Sequence, residues 1–146
     1  MRKDKIENEL KHIQPLIDEA RKAVGSIRPE HLTEIRGYRM PPEAVHHVLC
    51  AVLTLMGTMD TSWASMKKFL ANTGVIGTVL NFDAHQITPQ RRKEVRDFIQ
   101  SKSNSFEQSY IKGISGAAAP LAAWVKAILE YSVVLQKINP LEKELF

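Results

Sequence analysis

The sequence predicts an all-α protein, a compact bundle of about six short helices on a two-helix antiparallel coiled coil. Heptad seams at both ends of the chain carry this prediction, together with a middle region of apolar stretches that have helical spacing. No stretch alternates apolar and polar residues as a half-buried strand does. Because a helical head separates the two seams, the end helices are expected to run in opposite directions.

The first coiled-coil helix is predicted for residues 1–26. Its apolar residues step by four and three positions in strict alternation: Ile6, Leu10, Ile13, Ile17, Ala20, Val24 and Ile27. Such steps keep one apolar edge facing a partner helix. Pro15 lies inside this helix, where it removes one backbone hydrogen bond and predicts a kink.

Residues 27–116 are predicted to form the head, and its helices have recognisable starts and stops. Pro29 suits the first position of a short helix that ends near Gly37. The pair Pro41-Pro42 breaks the chain before an apolar helix that Gly57 stops. Three later helices have N-cap signals, which are Asp60 or Thr61, then Thr88 followed by Pro89, then a capping box from Ser105 to Gln108.

Residues 117–146 are predicted to form one long helix with two roles. Its first half is apolar on most sides, as in a helix inside a core, with Leu121, Trp124, Val125, Ile128 and Leu129. Its second half narrows to a seam of Ile128, Tyr131, Leu135, Ile138, Leu141 and Leu145. Pro140 lies inside this seam and predicts a second kink.

The totals limit the class of protein. The chain has 146 residues, a net charge of +4 and one cysteine, Cys50, which excludes an internal disulfide and fits a reducing compartment. Residues 37–139 carry +4 on their own, so the head either meets an acidic partner or is charged for solubility. We expect no signal peptide and no run long enough to cross a membrane. Both ends stop in mid-pattern, as in a piece of a longer chain.

Few side chains suggest chemistry. The sequence has no nucleophile–base arrangement and no glycine-rich phosphate loop, which predicts no enzyme and no cofactor. His46 and Cys50 share a helix face and could bind a metal together, but the adjacent His47 diverges from them and no clear third ligand is present. A solvated helix face is therefore favoured over a metal site. The basic run at residues 91–93 is either a binding patch or the solvated start of a helix, and solvation is favoured. Trp63 and Trp124 are predicted to be core residues.

The end helices have two workable alignments. Antiparallel helices pair residues whose numbers have a constant sum, and sums of 155 and 151 both place apolar residues opposite apolar ones. The sum of 155 pairs Leu10 with Leu145 and sets Pro15 level with Pro140, so we expect this register. The other register is reached by roughly 6 Å of sliding. Such a pair is the bistable element that a signalling rod needs.

An ordered set of motifs resembles the tip of the dynein heavy-chain stalk over essentially the whole chain. The motifs are Gln14-Pro15-Leu16-Ile17-Asp18-Glu19-Ala20, Ile35-Arg36, Pro41-Pro42, Leu55-Met56-Gly57, Trp63, Asn81-Phe82 and Ala118-Ala119-Pro120-Leu121-Ala122-Ala123-Trp124-Val125. The runs Met-Gly-x-Met-Asp-Thr-Ser-Trp and Ala-Pro-Leu-Ala-Ala-Trp-Val-Lys are most similar to cytoplasmic dynein 2, the class of intraflagellar transport. The resemblance implies a location in the cytoplasm, at the cytoskeleton and in the cilium.

The resemblance implies a head that binds microtubules at the groove between the α- and β-tubulin subunits. Carried over by position, the contact segments are residues 28–36, 71–74 and 106–113. The implied contact residues are Arg28, Glu30, His31, Arg36, Asn72, Ser109, Lys112 and Gly113. Relatives often have a basic residue where this chain has Asn72 and Gly113. This departure predicts a weaker attraction to acidic tubulin unless Lys112 or other basic groups compensate.

We further expect head binding to be coupled to the register of the helix pair. The parent protein is by resemblance a dimeric ATPase, whereas this part is not catalytic. Two other classes stay open: a structural coiled-coil module without microtubule affinity, and a basic helical module that binds nucleic acid. The second is disfavoured because the basic patches are sparse and lack interleaved aromatic residues. Neither a nucleic acid nor a membrane is an expected partner.

Overall fold

The computed structural model describes residues 2–58, 60–72 and 74–145, with side chains at 8, 11–58, 60–72, 74–84 and 86–135. Two long helices, α1 (Arg2–Gly25) and α8 (Ala118–Leu145), pack along each other. Between them in the chain lie α2 (Pro29–Arg36), α3 (Glu43–Leu55), α4 (Trp63–Ala71), α5 (Val75–Leu80), α6 (Pro89–Ser101) and α7 (Gln108–Ile114), with 3₁₀ helices at Ala84–Gln86 and Ser103–Phe106. The residues described contain no strand, which confirms the predicted helical bundle on an antiparallel helix pair.

The heptad stripe of α1 is buried as predicted, at Ile13, Ile17, Ala20 and Val24. Helix α1 continues through Pro15, and α8 continues through Pro140. The side chains of Leu10, Pro140 and Leu145 lie outside the described set, so the register with a sum of 155 stays a prediction. The division of the chain into residues 1–26, 27–116 and 117–146 also stays a prediction.

Local signals account for several helix ends. Gly57 has a positive φ of 88°, which glycine adopts without strain, and it follows the last turn of α3. The N–H of Gly57 donates to the Thr54 carbonyl and that of Thr58 to the Leu53 carbonyl, which forms a Schellman motif. At the start of α6, Thr88 Oγ1 accepts from the Arg91 N–H at 3.1 Å, which confirms the predicted N-cap.

Two predicted N-caps were wrong. Helix α4 is capped by Ser62, whose Oγ accepts from the Ser65 N–H at 3.3 Å, because Asp60 instead accepts from the Ser62 N–H at 2.9 Å. The capping box predicted at Ser105 does not form, since the N-cap of α7 is Glu107 and makes no side-chain capping bond. The Ser105 hydroxyl is buried and lies 2.8 Å from His47 Nδ1, so a tertiary contact uses it.

The core surrounds the first half of α8. Trp124 is 1% exposed and meets the Phe82 ring edge-on, with a distance of 5.9 Å between ring centroids. Trp63 is half-buried against the core and its Nε1 donates to the Tyr38 carbonyl at 3.3 Å. Trp124 is therefore a core residue, as predicted, whereas Trp63 is only partly buried and packs against the core.

One segment corrects the expectation about membrane-length runs. In the described part of the chain, Ala118–Leu135 is long and apolar enough to cross a membrane, with a mean hydropathy of 1.4 over 18 residues. The expectation that no such run exists was therefore wrong on length and composition. Because 67% of the segment is buried inside the fold, its apolar surface is accounted for by the core.

Candidate functional site

Helix α2 presents the first group of predicted contact residues. Arg28 is its N-cap residue, in an extended conformation with φ −90° and ψ 150°, and Pro29 opens the helix. Leu32 and Ile35 bury the inner face of α2 in the core. The opposite face leaves Arg28 and Glu30 exposed, whereas His31 and Arg36 are half-buried.

Two of these side chains, those of His31 and Arg36, form hydrogen bonds within α2 or with its N-cap residue. The Arg28 N–H donates to His31 Nδ1 at 3.4 Å, so the imidazole takes the place that Glu or Gln holds in a capping box. Arg36 Nη2 donates to Thr33 Oγ1 at 3.1 Å. The Nε of Arg36 is buried and has no hydrogen-bond partner among the residues described. A buried donor without a partner is costly, and an incoming acceptor would relieve that cost.

Arg36 and Asn72 meet at one cleft between α2 and the turn from α4 to α5. The cleft has a volume of about 270 Å³ and is lined by Ile27, Pro29, Leu32, Arg36, Leu70, Ala71, Asn72, Val75 and Ile76. Asn72 Oδ1 accepts from the Gly74 N–H at 3.0 Å, which fixes the turn. Two segments far apart in sequence thus form one cleft, whose lining is mostly apolar and includes the polar side chains of Arg36 and Asn72.

Helix α7 presents the second group of predicted residues. Ser109, Lys112 and Gly113 are exposed on it, while Ile111 is fully buried and anchors the helix. The Gln108 Nε2 donates to the Ala119 carbonyl at 3.0 Å and ties α7 to α8. Helix α7 packs on α8, α3 and the second 3₁₀ helix, whereas α2 packs on α4. The predicted contact residues therefore lie on two helices that pack against different parts of the fold.

Tyr110 lies inside a predicted contact segment but is not among the predicted contact residues. Its side chain is 51% exposed, an unusual exposure for a large aromatic residue. Gly113 lies one turn further along α7, and a Cβ built on it has nothing within 4 Å. The ring of Tyr110 thus lies beside open surface. The signal available in the sequence was an aromatic residue in a short helix with polar neighbours.

The prediction of a solvated helix face on α3 was wrong for His47. Its side chain is 14% exposed, contacts Ser105 through Nδ1, and lies edge-on to the Phe98 ring with centroids 5.8 Å apart. Burial, followed by the charges of Lys102 and His46, lowers the pKa of His47 below its ordinary value of 6.5, against an opposing effect of Glu43. The described residues contain no group of three metal-ligating side chains.

The basic run at residues 91–93 is also not uniformly solvated. Lys93 is exposed as expected, but Arg92 is only 9% exposed and its Nε donates to Ser132 Oγ at 2.9 Å. The guanidinium of Arg91 lies against Gly57, 3.6 Å from a Cβ built there. The prediction of a solvated helix start was therefore wrong for Arg92.

The family model described as the microtubule-binding stalk of the dynein motor matches residues 1–145 of this chain. The chain belongs to this dynein stalk family. Curated dynein relatives agree with the assignment: the chain is 58% identical to cytoplasmic dynein 2 heavy chain 1 of Caenorhabditis elegans over 97% of its length. It is 52% identical to the Homo sapiens protein of the same name over 94% of its length, and 49% identical to that of Chlamydomonas reinhardtii over 99%. The predicted resemblance to dynein 2 is confirmed.

A solved dynein structure agrees with the fold. The microtubule-binding domain of dynein-c superposes with a TM-score of 0.77 and 29% identity, covering 90% of this chain and 92% of that one. The chain spans 3% of the length of the curated dynein heavy chains that it matches. The chain therefore corresponds to the stalk part of these heavy chains.

Proposed function

We propose that this chain binds microtubules as the stalk tip of a dynein 2 heavy chain. The observation that carries the proposal is the match of residues 1–145 to the family of microtubule-binding dynein stalks. The net charge of +4 suits attraction to acidic tubulin. The parent protein is a dimeric ATPase motor of the cytoplasm and cilium, and this stalk tip takes no catalytic part.

The binding surface includes two patches, which we name by their helices. The α2 patch consists of Arg28, Glu30, His31, Arg36 and Asn72. Of these, Arg36 and Asn72 line the α2–α4 cleft, and the Nε of Arg36 has no hydrogen-bond partner among the residues described. The α7 patch consists of Ser109, Tyr110, Lys112 and Gly113, which are all exposed. An acidic group of tubulin at the cleft accepts from Arg36, and an apolar patch of tubulin packs on Tyr110.

Microtubule affinity is coupled to the register of α1 and α8. In support of this coupling, α2 follows α1 after residues 26–28, and α7 precedes α8 by residues 115–117. A displacement of either long helix therefore reaches a binding patch directly. A microtubule shifts the register equilibrium only by its difference in affinity for the two states.

Co-sedimentation with microtubules tests the binding itself. The chain should pellet with microtubules at roughly 50 mM salt, less at roughly 200 mM, and should not bind duplex DNA. Failure to pellet at the lower salt would favour the structural coiled-coil module. Tighter binding to DNA than to microtubules would favour the nucleic-acid module.

Disulfide locking tests the coupling. In a Cys50→Ala background, Ala20→Cys is combined with Leu135→Cys for the sum of 155, or with Tyr131→Cys for the sum of 151. Ala20 and Leu135 are buried, and Tyr131 is half-buried against the core. The two oxidised forms should differ in microtubule affinity by about tenfold, a free energy of ~1.4 kcal/mol. Equal affinities in both locked forms, with binding intact, would remove the coupling and leave the binding proposal standing.

A further inference from the structure

A buried arginine joins the head to the long helix α8. Arg92 lies in the first turn of α6, and its side chain is 9% exposed. Its Nε donates to the hydroxyl of Ser132 at 2.9 Å, and Ser132 is 2% exposed. The same hydroxyl donates to the Leu129 carbonyl at 2.7 Å. The bond from Arg92 therefore continues through Ser132 to the backbone of α8.

This contact differs in kind from the packing around it. The neighbouring contacts of α8, such as those of Ile128 and Leu129, are apolar and have no preferred direction. A guanidinium is costly to bury unless its donors are bonded, so the Ser132 acceptor has energetic weight. Burial and the nearby charge of Arg96 lower the pKa of Arg92 from its ordinary value, but an arginine remains charged in a protein.

The bond is sensitive to the position of α8. A helix rises ~1.5 Å per residue, so sliding α8 by the four residues that separate the two registers would move the Ser132 hydroxyl by roughly 6 Å, well beyond hydrogen-bond distance of Arg92. Rotation of α8 about its axis by one residue, roughly 100°, would turn Ser132 away altogether. Ser132 also lies next to Tyr131 in the seam, at the point where α8 passes from core helix to coiled-coil partner.

We propose that Arg92 is a positioning residue, which fixes the height and rotation of α8 relative to α6 through Ser132 and thereby sets the preferred register of α8 with α1. This inference rests on the proposed function of the stalk tip, since a preferred register has meaning only for a rod that transmits a signal. Arg92 makes no microtubule contact in this role. It acts through the position of α8.

The experiment measures register in the absence of microtubules. The 20–135 and 20–131 cysteine pairs, in the Cys50→Ala background, are allowed to equilibrate in a glutathione buffer, and the ratio of the two disulfide yields reports the register preference. Each pair is combined with Arg92→Met, which removes the donor, or with Ser132→Ala, which removes the acceptor. Lys93→Met is the matched control, because it removes an exposed positive charge from the neighbouring position.

We expect Arg92→Met and Ser132→Ala each to move the yield ratio by about threefold or more towards equal yields, and Lys93→Met to leave it unchanged. Ser132→Thr retains a hydroxyl and should preserve the ratio. An unchanged ratio in both Arg92→Met and Ser132→Ala would overturn the proposal, even if both variants unfold at a lower temperature. A change of equal size in Lys93→Met would overturn it too, since charge alone would then be the cause.

Two further arms protect the test from misfolding and from failure of the proposed function. The double variant Arg92→Met with Ser132→Ala removes both the donor and the acceptor of this bond, so it should show the same shifted ratio as the single variants. A native ratio in the double variant would overturn the proposal. The yields require no microtubules, so a chain that failed to bind microtubules could still show the effect of Arg92.

Discussion

The two ends of the chain form two arms that are built alike but attached differently. The first arm is α1 with α2, and the second arm is α7 with α8, so each long helix leads directly into one proposed binding patch. The described side chains of α1 contact the rest of the molecule through an apolar stripe, and none of them forms a hydrogen bond with another helix. Helix α8 is buried on most sides and accepts bonds from Gln108 and Arg92.

This difference shows what a change of register would cost each arm. Apolar packing has no direction, so a seam that shifts by half a heptad replaces one set of apolar neighbours with another. A hydrogen bond is lost once its atoms separate by about 1 Å beyond their usual distance. A register change that moves α8 against the head should therefore lose the Arg92–Ser132 bond, whereas the apolar stripe of α1 finds new neighbours at little cost.

The largest expected effect is on stability and contrasts the cores of the two arms. Trp124→Ala in the second arm should lower the free energy of unfolding by about 3–5 kcal/mol, because the indole is fully buried and meets Phe82. Ile17→Ala in the first arm should cost about 2–3 kcal/mol, since Ile17 is buried in a two-helix seam. Urea unfolding measures both values.

The control for this pair is Lys126→Ala, an exposed position of α8 that should change stability by less than about 0.5 kcal/mol. An Ile17→Ala loss clearly greater than the Trp124→Ala loss would contradict the view that the second arm is the more firmly held. The comparison of the arms would then have to be reversed.

Microtubule affinity gives the next largest effect and contrasts the two patches. Tyr110→Ala in the second arm should weaken binding by about tenfold, because exposed aromatic residues are common hot spots of interfaces. The loss should be similar at low and high salt, since it removes apolar contact. Arg28→Ala in the first arm should weaken binding less, and its effect should shrink as salt screens the charge. Co-sedimentation at two salt concentrations measures both variants.

Leu16 supplies a matched control for Tyr110. Both side chains are 51% exposed, but Leu16 lies on α1, away from the patches. Leu16→Ala should therefore leave microtubule affinity unchanged. If Tyr110→Ala bound microtubules as well as the unmodified chain does, Tyr110 would have no part in the surface, and the α7 patch would be reduced to its polar residues.

The features that could be predicted from the sequence are the local ones. Gly57 and Thr88 act on their own helix ends, and the stripe of Ile13 to Val24 follows from its spacing alone. The polar contacts between helices could not be predicted, because His47 and Ser105 are 58 residues apart in the sequence and Arg92 and Ser132 are 40 apart. Ser105 fits a local capping pattern, yet its tertiary partner prevails. The predicted contact residues follow from the family resemblance, whereas Tyr110 is distinguished only by its exposure in the structure.

Acid provides a smaller and more selective effect on the second arm. The pKa of His47 is lowered chiefly by burial, so the folded state prefers the neutral ring while the unfolded state takes up a proton near pH 6.5. The stabilising contribution is therefore complete above pH 6.5 and is lost as pH falls from there towards the folded pKa. Because His47 contacts Ser105 just before α7, hydrogen exchange in residues 105–114 should rise on acidification.

The measurement compares hydrogen exchange at about pH 7.5 and about pH 5.5 after correction for the intrinsic rate. His47→Gln should abolish the pH-dependent difference, at a cost of about 0.5–1.5 kcal/mol for an altered hydrogen bond. His46→Gln, a change at the neighbouring half-buried histidine, should retain it. Equal acid-induced opening of α2 and α7 would show that protonation loosens the whole head and does not distinguish the arms.

The smallest expected effect is a gain in microtubule affinity, which tests whether the second arm lacks a positive charge. Gly113 lies in the last turn of α7 with open space around it, so Gly113→Lys should stabilise the helix by about 0.5–1 kcal/mol. A lysine beside Lys112 should also raise microtubule affinity about twofold at low salt, with little gain at high salt.

Gly77→Lys is the matched control, because Gly77 is also an exposed helical glycine with nothing near its Cβ position. It should stabilise α5 without a gain in binding. If both lysines raised affinity equally, net charge alone would account for the gain, and the position of the added charge on α7 would not matter. A gain from Gly113→Lys alone would show that the α7 patch lies where an added positive charge meets the microtubule.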